Sequence, residues 1–315
     1  MSDSDARNPA SSAHAGDVDV APTLPLRLIA GPRFAVLRLI LGAVMISFSA
    51  VFVKLATIAP TSSAFYRCAI GAILLAACFW GRGRELWARG RGMWMLTLAA
   101  LFFALDLVAW HRSIVYVGPG LATLLANFQA FVLALAGVLV FGQPMRWWTM
   151  FAIPLAFVGL GMIIGFDWSG LGEQDQRGIV YGLLTALFYS GYLLSLRRAR
   201  FVAQTRTPAG DLTLVSIGSA LLLVAFARVE GASLAVSTVT DASLMLAYGV
   251  TGQVLGGVLI SSALAFVSAA RVGLILLLQP TLSYVWDIWF FHHPMTPVQV
   301  TGAVLALIAI YIGSR

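Results

Sequence analysis

Nine side chains that can bind a polar molecule lie inside long apolar segments of this chain. They comprise one carboxylate, one guanidinium, four amides and three aromatic rings. A charge near the centre of a bilayer costs about 2.5–3.5 kcal/mol, so such residues are functional candidates unless they lie near the end of a segment. The nine candidates are Arg67, Asp106, Trp110, Asn127, Gln129, Tyr189, Gln253, Gln279 and Tyr284.

The two charged candidates have different positions along their segments. Asp106 lies about two-thirds of the way along its segment, and Trp110 is one turn further on the same face. The carboxylate could carry a proton or meet a cationic group, and a structural carboxylate paired with a neighbouring arginine fits equally well. His111 is interpreted as an interfacial residue. Arg67 lies near the start of its segment, where it could reach water or draw anionic groups to a vestibule.

The amides could bind a ligand or join helices by hydrogen bonds. Asn127 and Gln129 point about 200° apart on a helix, so only one of them is expected to face a cavity. Tyr189, Tyr284 and Gln253 are further binding candidates, although aromatic rings in such segments also serve as plain packing. Asp287 is interpreted as a hydrated carboxylate at a segment end.

These residues favour binding over catalysis. The two membrane carboxylates, Asp106 and Asp287, are far apart in the sequence. We find no metal-spaced cluster of His and Cys residues and no phosphate-binding loop in the sequence. We therefore predict no enzyme activity, no metal and no cofactor.

The composition indicates an integral membrane protein. Of the 315 residues, 60% are hydrophobic and 10% are charged, against roughly 25% charged residues in an average soluble domain. The net charge of +7 comes from basic residues in short runs between apolar segments, which is a topology signal rather than a nucleic-acid patch. A spanning helix needs about 20 apolar residues. The sequence predicts an all-α fold with ten spans, at 34–54, 63–80, 93–111, 118–140, 147–165, 178–196, 211–228, 242–264, 268–290 and 298–314.

The distribution of basic residues predicts the orientation. Residues 1–28 are predicted to be a disordered tail without a signal peptide. With this tail in the cytoplasm, thirteen Arg and Lys residues lie inside and four lie outside. Both termini are therefore expected in the cytoplasm. We call the opposite side, which carries Lys54, Arg112, Arg177 and Arg228, the predicted outer face.

A weak internal repeat relates the two halves. Residues 117–165 match 267–315 at an offset of 150 with eight identities in 49 positions, including Gln129 on Gln279. A unit of five helices is odd in number, so the second copy must be inverted. Inverted repeats place a binding site near the bilayer midplane, where the halves meet.

Three stretches resemble a known family. They are Phe65-Tyr66-Arg67, the run from Gly118 to Gln129, and Phe141-Gly142-Gln143-Pro144 before a span with Gly159, Gly161 and Gly165. The chain resembles the drug/metabolite transporter superfamily, in its ten-helix branch with two EamA domains, over residues 34–165 and 178–314. The family commonly has a Gly-Glu pair after the fourth span, and this chain has Gln143 there.

The repeat and the resemblance imply a secondary transporter that works by alternating access. The resemblance implies an exporter of small metabolites such as amino acids or drug-like compounds, in the cytoplasmic (inner) membrane. The expected partners are the bilayer, the small-molecule substrate, a coupling proton and a second copy in a homodimer. The alternatives are a channel-like or non-transporting interaction protein and, after these, a membrane-embedded enzyme.

Overall fold

A computed structural model describes residues 32–78, 90–139, 147–164, 169–202, 208–263, 266–267, 275–293 and 295–313. Every regular element in these ranges is helical, as the sequence predicts. In a bilayer this follows from the backbone, because a helix satisfies its polar groups within the segment. The predicted tail, residues 1–28, lies outside the described residues.

The helices overlap all ten predicted segments in whole or in part. A 3₁₀ turn at Pro32–Phe34 precedes the first, and a π-helical segment, Gly249–Gly256, joins the ninth to the tenth. Numbered along the chain, they are α1 (Ala35–Ser47), α2 (Ser49–Leu55), α3 (Pro60–Cys78), α4 (Arg91–Ala126), α5 (Gln129–Leu139), α6 (Trp147–Ile164), α7 (Glu173–Val202), α8 (Pro208–Glu230), α9 (Val239–Tyr248), α10 (Gly257–Ala263), α11 (Leu278–Phe291) and α12 (Pro297–Gly313).

The outside of the bundle is suited to lipid. Large apolar side chains point outward from several helices, including Ile73 in α3, Phe151 in α6 and Leu221 in α8, each more than two-thirds exposed. Five helical stretches are long and apolar enough to cross a membrane, and two further apolar helices are shorter. The five are Ala35–Leu55, Arg91–Leu139, Glu173–Leu196, Ala209–Glu230 and Val239–Ile260.

Helix α4 is broken about three-quarters of the way along, between the third and fourth predicted segments. Gly118 has φ +83° and ψ 164°, a conformation that L side chains rarely adopt. Pro119 follows it and has no N–H to donate, which suits the first position of a new helix. The chain therefore stops one helix at Gly118 and starts another at once, in a new direction.

Corresponding helices of the two halves pack on one another. Helix α3 packs on α8, and α6 packs on α12. Helix α4 crosses α7 and α8, and the equivalent π-helical segment crosses α1 and α3. The α6–α12 pair is close because Gly159 and Gly302 face each other: a Cβ on Gly302 would lie 2.6 Å from the Gly159 carbonyl oxygen. Exchanging the halves leaves this list of pairs unchanged.

The predicted outer face is held together by polar contacts between the halves. Arg112 in α4 forms an ion pair of 2.7 Å with Glu230 at the end of α8, and the Thr61 hydroxyl donates to the same carboxylate. Asp241 at the start of α9 accepts from both the backbone N–H and the hydroxyl of Thr57. These contacts bring the α2–α3 turn, α4 and the α8–α9 connection to one end of the bundle.

Candidate binding site in the bundle core

A polar cluster lies where α3, α4 and the π-helical segment meet. The half-buried guanidinium of Arg67 in α3 donates from Nε to Gln253 Oε1 at 2.9 Å and from Nη1 to the Tyr248 hydroxyl at 3.1 Å. The Gln253 amide donates in turn to the Ser216 hydroxyl in α8 at 2.9 Å. Arg67 thus comes from the first half of the chain. The second half supplies its two hydrogen-bond partners, Gln253 and Tyr248, and the serine that binds Gln253.

A chain of hydrogen bonds orients the Tyr248 hydroxyl. His111 is fully buried, and its Nδ1 lies 2.6 Å from the Leu107 carbonyl oxygen. That carbonyl can only accept, so Nδ1 carries the proton and Nε2 accepts from the Tyr248 hydroxyl at 3.1 Å. The hydroxyl oxygen is left to accept from Arg67. His111, interpreted from the sequence as an interfacial residue, is therefore a buried member of the cluster.

Asp106 places a second charge beside Arg67. It is 5% exposed and lies within electrostatic range of Arg67, Tyr189 and Tyr248. Yet it forms no hydrogen bond and no ion pair within 4.0 Å with any residue that the structure describes. A carboxylate and a guanidinium are thus held close together in the core without a direct bond between them. Both charges are available to a third partner.

Aromatic rings form the walls around these charges. The Arg67 guanidinium carbon lies 5.2 to 6.0 Å from the ring centres of Tyr248, Phe103 and Trp110, a separation typical of cation–π contacts. Phe103 packs on Tyr192, with ring centres 4.9 Å apart. The site therefore combines two opposite charges with flat apolar surfaces.

The local backbone explains why Gln253 reaches Arg67. Gln253 lies in the π-helical segment, and such segments are frequently found at functional sites. Gly71 follows Arg67 by one turn on the same face of α3, and a Cβ on it would lie 2.3 Å from Gln253 Cγ. A glycine at position 71 is what lets the amide side chain cross over α3.

The structure brings five of the nine predicted residues together: Arg67, Asp106, Trp110, Tyr189 and Gln253. The others lie elsewhere, and none of them forms a hydrogen bond with Arg67 or Asp106. Asn127 donates to the Thr123 carbonyl at the end of α4, and the Gln129 side-chain oxygen is buried without a partner. Gln279 lies in the first turn of α11, and Tyr284 lines a separate cavity.

Two members of the cluster, Tyr248 beside Arg67 and Ser216 beside Gln253, were not predicted from the sequence. Tyr248 is fully buried and Ser216 is buried in α8, so each looks like a packing residue in an apolar segment. No signal in the sequence distinguishes either of them from a packing residue. Asp287, interpreted as hydrated, is instead 5% exposed and accepts from the Gly120 backbone N–H at 3.0 Å.

Comparison with known proteins confirms the resemblance noted in the sequence. The chain is similar to a solved structure described only as "Crystal structure of protein", with a TM-score of 0.62 and 15% identity over 88% of this chain and 95% of that one. No curated protein sequence matches. The model of the EamA-like transporter family matches residues 33–165 and again 176–315, nearly all of the chain after the tail. This protein therefore belongs to the EamA-like transporter family, with two EamA domains.

Proposed function

We propose that this protein is a secondary transporter and that Arg67 and Asp106 bind its substrate in the core of the bundle. The observation that carries the proposal is the pair of opposite charges left without a direct bond to each other. A buried charge without a partner is costly. Its cost is offset if a substrate supplies the missing partner during the transport cycle.

The same geometry supports a class of substrate. A carboxylate could bind the free N–H groups of Arg67, and an ammonium group could bind Asp106. The walls of Trp110, Phe103 and Tyr192 would accept an apolar or aromatic side chain. Small zwitterions such as amino acids fit both charges, and drug-like aromatic cations fit Asp106 and the walls.

Alternating access follows from the architecture proposed here. The site draws Arg67 and Asp106 from the first family-matched region, and Tyr248, Gln253 and Ser216 from the second. Ten spans in two inverted five-helix halves would explain why corresponding helices pack in matching pairs. We place both termini in the cytoplasm of an inner-membrane exporter, with Asp106 as the carrier of a coupling proton.

Flux through liposomes tests the proposal. The purified protein is reconstituted, and uptake of amino acids and cationic dyes is followed with and without a pH gradient. We expect flux of at least one class in the wild type and a large loss in Arg67→Ala. The matched control is Arg177→Ala, because Arg177 is exposed and, among the described residues, pairs with Glu173 one turn away. Absence of flux for every compound would contradict the proposal, and equal flux in Arg67→Ala would exclude this site.

A further inference from the structure

A second polar contact joins the halves at the predicted outer face. Asp287, near the end of α11, accepts from the Gly120 backbone N–H through Oδ2 at 3.0 Å. Gly120 lies just after the break in α4, where the first N–H groups of the new helix have no partner within that helix. The Asp287 carboxylate therefore caps the second part of α4 from another helix, at the end where the helix dipole favours a negative charge.

The glycines of the break permit this close approach. A Cβ on Gly118 would lie 2.7 Å from Asp287 Oδ2, and a Cβ on Gly120 would lie 2.4 Å from Tyr284 Cδ1. A side chain at position 118 would displace the Asp287 carboxylate, and one at position 120 would displace the Tyr284 ring. The Gly118-Pro119-Gly120 sequence thus serves two purposes, because it breaks α4 and makes room for Asp287 and Tyr284.

The other side of Asp287 faces open space. A cavity of about 400 Å³ lies beside it, between α4, α6, α7 and α11. His293 lies on this cavity with its side chain 56% exposed and its Nδ1 3.0 Å from Asp287 Oδ1. The other charged groups that face Asp287 are Lys54, through a Coulombic interaction, and Asp175, which lines the cavity. The Asp287 side chain therefore has space into which it can move.

The contact has no counterpart in the first half. At the offset of 150, Asp287 aligns with Gly137 and Tyr284 aligns with Ala134. Neither glycine nor alanine can cap a helix with its side chain. This polar closure is therefore a property of one end of the molecule, the predicted outer face.

We propose that Asp287 is the gate residue of the predicted outer face, closing it by binding Gly120 and opening it by moving into the adjacent cavity. This inference rests on the proposed function, since a gate implies a passage. The Arg112–Glu230 and Thr57–Asp241 contacts also join the halves on this face. The Asp287–Gly120 contact differs from them because it consists of one hydrogen bond from the backbone and has a cavity beside it.

Accessibility of a reporter cysteine below the gate tests this role without any substrate. Thr123 is 8% exposed, lies one turn beyond Gly120 in α4 and has a hydroxyl without a partner, so Thr123→Cys is a small change. The reporter is placed in a Cys68→Ala/Cys78→Ala background in membrane vesicles. Its rate of reaction with a membrane-impermeant maleimide is measured from each side. Labelling of a separate Arg177→Cys variant identifies the side that carries the predicted outer face.

We expect Asp287→Ala to raise the labelling rate of Cys at position 123 about tenfold from that side, because the charge-assisted hydrogen bond to Gly120 is lost. Asp287→Asn, which keeps an acceptor oxygen, should lie between the wild type and Asp287→Ala. The matched control is Asp175→Ala, which removes a carboxylate from the same cavity without touching α4. Unchanged labelling in Asp287→Ala, or equal acceleration in both variants, would overturn the gate.

A second variant and an assay that is independent of flux keep the gate falsifiable. If Asp287→Ala does not fold, His293→Ala removes only the exposed partner of Asp287 and should give a smaller increase from the same side. Labelling that ignores His293 in that case counts against the gate. The assay needs no flux, so a working gate in a protein that moves no compound would refute the transporter and leave the closure standing.

Discussion

The charged groups in the bundle core differ from those on the predicted outer face in how fully they are paired. At the outer face, Glu230 accepts from Arg112 and Thr61, and Asp241 accepts from Thr57 and Thr238. In the core, Asp106 has no direct partner among the described residues.

This difference separates two uses of buried charge. A fully paired group fixes one arrangement of the helices. Its removal lowers the stability of the fold or opens the contact between the helices. An unpaired group adds little to stability, or lowers it, and is retained for a partner that comes and goes. Variants in the two regions should therefore divide into those that change the fold and those that change flux.

The largest effect is expected from Arg67→Ala. The guanidinium binds Gln253 and Tyr248 and is stacked among three rings, so its loss removes the anion-binding group and unlinks the halves. A hydrogen bond to a charged group is worth about 1.5–3 kcal/mol, so the loss of two such bonds corresponds to a fall in flux of about a hundredfold or more. Initial flux rates in liposomes measure it. Arg67→Lys keeps the charge without the fork of donors and should restore only part of the rate.

The next effect, from Asp106→Asn, distinguishes a substrate carboxylate from a structural one. The change keeps the shape and removes an unpaired buried charge. We expect flux to fall about tenfold, the loss of one charged hydrogen bond. The unfolding temperature in detergent should stay the same or rise, because desolvation of the charge no longer opposes folding. A fall in both flux and unfolding temperature would identify Asp106 as a structural group and contradict the proposed site.

The general fold could be predicted because the bilayer leaves few choices. Apolar segments of spanning length must be helical, and the pair Gly118-Pro119 marks a break that the structure places at Gly118. The π-helical turn at Gly249–Gly256 could not be predicted, since nothing in its sequence requires it. It arises where α1, α3 and Gln253 pack together. Contacts between distant segments cannot be predicted from the sequence of one segment alone.

The site was predictable where residue type alone is informative. Arg67 and Asp106 stand out because charges in apolar segments are rare. The burial of His111 and Asp287 was not predicted, because position along a segment indicates depth but not which residues cover a side chain. Asp287 is buried against the backbone that follows the break in α4, and His111 is buried against Tyr248. Tyr248 itself was missed since a buried tyrosine has the same sequence signal whether or not its hydroxyl is used.

At the predicted outer face, where the charges are paired, Glu230→Gln should lower the stability of the fold without changing substrate affinity. The carboxylate accepts from both Arg112 and Thr61, and the side chains of the ion pair are 19% and 34% exposed. Partly exposed pairs are worth about 1 kcal/mol or less, so the unfolding temperature should fall by a few degrees. A double-mutant cycle with Arg112→Ala isolates the pair. A change in the half-saturating substrate concentration would contradict the distinction between paired charges that stabilise the fold and unpaired charges that bind substrate.

The smallest effect is expected from Tyr248→Phe, because Tyr248 contacts a charged binding residue and is itself fully hydrogen-bonded. The hydroxyl supports no ion pair of its own, and it joins the Arg67 guanidinium to His111 Nε2. Its loss leaves the ring over Arg67 and removes two hydrogen bonds, at a net cost of about 1 kcal/mol each. Flux should fall several-fold because Arg67 is less well oriented, and the matched control is Tyr181→Phe, because the Tyr181 ring stacks on Tyr116 outside the site. If Tyr248→Phe lowered the unfolding temperature as much as Glu230→Gln and left flux intact, the Tyr248 hydroxyl would belong with the paired groups, and the binding site would shrink to Arg67, Asp106 and Gln253.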